Sequence, residues 1–112
     1  MLALKNRAEP HRSLVEAQSA SLAEETAALF LAIARRSPNR EHAHAIGRLS
    51  DRLHAVRLVE PEILEDVAQE LAGLRDALAR DDRAALRRCC SAYHRRRRRA
   101  AAAVVRRLHR QA

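Results

Sequence analysis

The stretch NREHAHAIGRLSDRLHAVRL, residues 39–58, decides the fold class. Its apolar residues Ile46, Leu49, Leu53 and Val56 are spaced 3, 4 and 3 apart, which lays one stripe along an α-helix. Asn39 stands where a helix needs a side-chain acceptor for its first free amides. Just before it, Ser37-Pro38 predicts a stop, because proline disfavours helical geometry in the residue that precedes it.

Working outward, the same signals recur. Upstream, Ser21-Leu22-Ala23-Glu24 has the spacing of a capping box and predicts a helix from Ser21 to about Arg36, with Leu22, Leu29, Phe30 and Ile33 inward. Before it, residues 11–20 suggest a short helix after Pro10, anchored by Leu14 and Val15. Downstream, Glu60-Pro61-Glu62 reads as a fresh start with proline in the first turn, followed by the stripe Ile63, Val67, Leu71, Leu74 and Leu78. Asp81-Asp82 is the next break and cap. A last helix carries Leu86, Cys90, Tyr93, Ala100, Ala101, Val104 and Leu108. Short connections between such helices make antiparallel neighbours. The expectation is an all-α, antiparallel helical bundle of about five helices, forming a single domain over residues 1–112.

Composition agrees. The chain has 112 residues, and 24 of its 53 hydrophobic residues are alanine. A core built largely from alanine is modest, so a second copy could bury further apolar surface, and a homodimer is expected. Aromatics are 2% and there are only two glycines, which speaks against a β-sandwich or barrel and against a glycine-rich phosphate loop. The apolar stretch from Thr26 to Ala34 is far too short to span a membrane. Cys89 and Cys90 are adjacent, a spacing that strains a mutual disulfide, so a reduced, cytoplasmic protein is expected. Cys90 falls on the apolar stripe and reads as a small core hydrophobe.

The charge is lopsided. The formal net charge is +8, yet residues 83–112 carry 11 arginines and no acid, while the first 82 residues hold 11 basic against 14 acidic residues. The basic segment centres on His94-Arg95-Arg96-Arg97-Arg98-Arg99. Such a run can bind phosphate, an acidic partner or the acidic body of its own fold. Five consecutive arginines point all round a helix. Arg97 lies four residues beyond Tyr93, so it is the one expected to face inward and to meet a carboxylate, from a neighbouring helix or from a bound acid. Arg95, Arg98 and Arg99 are expected nearer solvent. With Arg96, they are the candidate nucleic-acid contacts, although no interleaved aromatics offer base stacking.

Three stretches carry a family resemblance. LFLAIARRSPN (residues 29–39), LAGLRDAL (residues 71–78) and the segment from Asp82 to Tyr93 are similar, in order and spacing, to helices of the C-terminal ligand-binding domain of FadR-type regulators in the GntR family. The resemblance is strongest over residues 22–95; Arg7-Ala8-Glu9-Pro10 is a fainter echo of the family's first helix. It implies an effector-binding and dimerisation module of a bacterial transcriptional regulator, with a pocket lined by Phe30, Leu71, Tyr93, His94 and Arg97 and a small carboxylate as effector. The departures are equally specific. The family's three metal-binding histidines fall at Phe30, Leu71 and Tyr93, its acidic ligand falls at Thr26, and His94 lies one residue off, about 100° around the helix. No metal and no cofactor are therefore expected. The winged-helix domain through which the family binds DNA is expected to be missing from this chain.

No catalytic constellation emerges, and no enzyme is expected. His42 and His44 are two apart and point to nearly opposite sides of a helix. Acidic pairs such as Glu24-Glu25 and Glu65-Asp66 lie near expected helix starts, where the helix dipole accounts for them. Two functions stay open: the regulatory ligand-binding module, and a small basic helical protein that binds nucleic acid or an acidic partner through its arginine-rich last helix.

Overall fold

A computed structural model describes the backbone of residues 2–111 and the side chains of residues 14–110. It has four helices: α1 (Leu2–Arg35), α2 (Arg40–Ile63), α3 (Val67–Ala79) and α4 (Arg83–Gln111), with no strand among the described residues. The count is four rather than five, for an identifiable reason. The Ser21–Glu24 box lies inside α1, where the helix runs through it unbroken. A cap forms only where the backbone leaves helical geometry, and the alanine-rich residues on both sides keep their helical bonds by continuing. Ser19, Ala23 and Thr26 are buried together, spaced 4 and 3 apart, so this small-residue face packs as one surface. Leu14 and Val15, expected to anchor a separate first helix, are exposed. The side chains of Arg7–Pro10 lie outside the described residues.

The Pro61 start is also displaced. Pro61 sits in the last turn of α2, which carries on to Ile63. Proline lacks the amide that would bond the carbonyl of Arg57, so one helical bond is lost there. Burial of Val59 and Glu60 holds the turn regardless, and the Leu64 amide closes it on the Glu60 carbonyl at 2.8 Å. α3 then begins at Val67, after Asp66 in left-handed geometry (φ 59°).

The other boundaries fall where the sequence puts them. α1 ends before Ser37-Pro38, and the Asn39 side chain accepts from the Glu41 amide at 3.0 Å. At the end of α3, Asp81 takes φ 54°, a left-handed position usually given to glycine. There the Asp82 amide reaches the Ala77 carbonyl and the Asp81 amide the Leu78 carbonyl, which together form a Schellman stop. Asp82 then caps α4 by accepting from the Ala85 amide at 3.0 Å.

The helices alternate in direction. Arg36, just past α1, donates to the Leu78 carbonyl at 2.8 Å and pairs with Asp81, so the C-terminal ends of α1 and α3 lie together. Arg75 of α3 pairs with Glu25 of α1. The contact between α1 and α2 is the most extensive, α3 packs on α1 and α4, and α2 closes the ring against α4. The core is small: Leu29, Val67, Leu71, Leu74 and Tyr93, flanked by Leu22, Phe30, Leu64, Leu78, Leu86, Cys89 and Cys90. Burial, and then the neighbouring Cys89, push the Cys90 thiol above its ordinary value, as suits a core thiol. Among the described residues no helix is long and apolar enough to cross a membrane.

Candidate functional site

The stripe that identified α2 does not enter this core. Ile46, Leu49, Leu53 and Val56 instead form one wall of a cavity of about 220 Å³ between α1, α2 and α4. Continuing by further helical turns, the same stripe reaches Arg57 and Glu60 and turns polar. The opposite wall is aromatic. The Phe30 ring lies 4.8 Å from Tyr93 and 5.9 Å from His94, and His94 meets Tyr93 edge-on at 5.4 Å. The cavity thus has an apolar body and one charged end.

That end is built around Arg97, whose side chain is only 16% exposed. Its Nε donates to Glu60 Oε2 at 2.6 Å, and its Nη1 stands 2.5 Å from Glu70 Oε1. The second contact sets the two charges at close range. The guanidinium also lies over the Tyr93 ring, 3.7 Å from its centroid, within the range of a cation–π contact. Burial opposes the charge on Arg97, but Glu70, Tyr93 and Glu60 outweigh it and hold the guanidinium firmly protonated. Arg96 adds an ion pair to Glu70 at 3.1 Å and donates to the Glu65 carbonyl at 2.5 Å. Arg107 pairs with Glu62 at 2.6 Å. The basic face of α4 is therefore partly neutralised by the acidic body of the same chain.

Arg57 differs from these. It is 8% exposed and lines the cavity, yet its Nε and Nη1 find no partner among the described residues. It does lie beside the Tyr93 hydroxyl. Burial raises the Tyr93 pKa first, and Glu60 raises it further against the opposing pull of Arg97 and Arg57.

Of the residues singled out from sequence, the structure brings Phe30, Tyr93, His94 and Arg97 to this cavity. Leu71 is not among them: it is fully buried in the core beside Tyr93. Arg97 faces inward and meets two carboxylates from neighbouring helices, Glu60 of α2 and Glu70 of α3. Arg95, Arg98 and Arg99 are exposed, while Arg96 is half-buried against Glu70. Sequence reasoning missed Arg57, Glu60 and the role of the α2 stripe as a cavity wall. The available signal was the stripe itself, whose next steps after Val56 are polar.

The donor set does not fit a divalent metal. Phe30 and Leu71 offer no lone pairs, and the Tyr93 hydroxyl faces the cationic Arg57. The Thr26 hydroxyl is bonded to the Leu22 carbonyl of its own helix at 2.7 Å. Comparison with family models, curated proteins and solved structures finds no match for this chain.

Proposed function

We propose that the chain is a regulatory module of the FadR-type, GntR-family kind, which binds a small acidic effector without metal and acts as a homodimer. One observation carries the reading: an apolar cavity between α1, α2 and α4 that ends in a cluster of arginines and glutamates. A cavity of this make-up suits a ligand with an apolar body and a single polar head. The placement of Phe30 and Tyr93 side by side at that cavity adds support, since the resemblance assigns these two positions to a common site. In this reading the ligand draws α2 toward α1 and α4, and the shift in helix packing is what a partner subunit or DNA-binding part senses. Thermal unfolding across a set of small organic acids tests it. A ligand at a hundred times its dissociation constant stabilises the fold by about 2.7 kcal/mol, so at least one acid raises the midpoint saturably. A flat response to every acid at millimolar concentration contradicts it.

A second reading has its own observation. Arg88, Arg95, Arg99, Arg106 and Arg110 are all exposed, spaced 7, 4, 7 and 4 along α4. None of the five has an acidic partner among the described residues. They make a basic stripe about 33 Å long at the helical rise, suited to a nucleic-acid backbone. Duplex binding that weakens steeply with salt, and weakens alike on loss of Arg95, Arg99 or Arg106, would favour this reading over the first.

A further inference from the structure

The charges at and behind the polar end of the cavity do not balance. Arg57, Arg96 and Arg97 face Glu60 and Glu70, and both glutamates are occupied: Glu60 by Arg97, Glu70 by Arg97 and Arg96. Arg57 is left over. The Tyr93 hydroxyl beside it carries no charge, and a buried guanidinium without an opposite charge is costly, so proteins seldom leave one so unless something else supplies it. Its position narrows what that is. Arg57 lines the cavity between the apolar stripe of α2 and the Tyr93 hydroxyl, so an anion held there would have its body against Leu53, Val56 and Phe30.

We propose that Arg57 is the anion seat of this cavity, and that the ligand is a small monocarboxylate with an apolar tail, of the size of hexanoate or benzoate. The proposal rests on the ligand-binding reading above and assigns its head group to Arg57 rather than to Arg97. Arg97 already spends its charge on two protein carboxylates and on the face of Tyr93. One negative charge completes the cluster, whereas a second would face Glu60 and Glu70 unpaired, so a dicarboxylate is disfavoured. The cavity is smaller than those that take drug-sized ligands, which excludes long acyl chains from its interior.

The chain carries its own probe. Tyr93 is the sole tyrosine and there is no tryptophan, so the near-ultraviolet circular dichroism above the phenylalanine bands reports on this cavity. Wild-type protein titrated with hexanoate should show a saturable change in that signal, and hexanol should bind at least tenfold more weakly. Arg57→Met should lose hexanoate affinity at least tenfold, leave hexanol binding unchanged within twofold, and unfold at a higher temperature than wild type when no ligand is present. Arg57→Gln, neutral but still polar, should show the same loss of affinity, and Arg95→Met should bind as wild type does. Wild-type hexanoate affinity in either folded Arg57 variant overturns the assignment and leaves the cavity reading standing. No change at Tyr93 with either hexanoate or hexanol in the wild-type protein overturns both.

Discussion

At the scale of single residues, position on the helix matters more than charge. Five consecutive arginines look alike in sequence, yet Arg97 is 16% exposed and held by two acids, while Arg95 and Arg98 stand in solvent. Arg97→Ala should therefore cost about 2–3 kcal/mol in urea unfolding, since it leaves Glu60 buried without its partner, and Arg95→Ala and Arg98→Ala should change stability by less than about 0.5 kcal/mol. Equal effects at all three would mean that the Arg97 contacts carry no energy. The inward turn of Arg97 was legible because Leu86, Cys90 and Tyr93 define the inner face of α4. Arg57 was less legible: it is one of several arginines on α2, and only the polar continuation of the apolar stripe past Val56 marks it. Tyr93 gives a pH prediction. Its folded pKa is raised above 10, so its contribution is intact below pH 10 and is lost as pH rises through the folded value. The absorbance titration of this single tyrosine should have its midpoint above 10, and Tyr93→Phe should unfold less readily than wild type at alkaline pH relative to neutral. A midpoint at or below 10 would contradict the burial and the role of Glu60.

At the scale of elements, breakers were read correctly and starts less so. Ser37-Pro38-Asn39 and Asp81-Asp82 end or open helices because a proline or a side-chain cap leaves the backbone no better choice. Ser21 and Pro61 carry the same kinds of signal and open nothing. Around Ser21 the uninterrupted helix satisfies more amides than a cap would, and at Pro61 the burial of Val59 and Glu60 and the Leu64–Glu60 bond carry the helix past the one bond that proline removes. Asn39→Ala and Asp82→Ala should each destabilise the fold by about 1 kcal/mol in chemical unfolding, the usual cost of a lost cap. Ser21→Ala should be neutral or slightly stabilising, by up to about 0.5 kcal/mol, because alanine is the better residue in mid-helix. A loss near 1 kcal/mol on Ser21→Ala would place a helix start there after all.

At the scale of the whole molecule, the chain is longer than it is thick. Its extents are 59 × 28 × 24 Å and its radius of gyration is 16.2 Å, against about 13 Å for a compact domain of this length. α3 has 13 residues beside the 34 of α1 and 29 of α4, so the N-terminal half of α1 and the C-terminal half of α4 run on past it at the same end. Leu14, Val15 and Val105 stand exposed on those extensions. A second copy that covers them would offset the thin alanine-rich core, and sedimentation at tens of micromolar, a working range of about −6 to −7 kcal/mol for association, should show a dimer rather than a monomer. An all-α antiparallel bundle was legible from periodicity alone. The cavity was not, because a stripe that lines an opening and a stripe that fills a core have the same spacing, and only the packing of α2 against α1 and α4 separates them. The most direct test of the ligand-binding account is an amide-resolved nuclear magnetic resonance titration of the ¹⁵N-labelled chain with hexanoate. The account predicts saturable shifts concentrated on residues 46–60 of α2 and on Phe30, Tyr93 and His94, with the outer face of α4 at Arg95, Arg99 and Arg106 unmoved. Shifts confined to that outer face, or no shifts at saturating hexanoate, would contradict it.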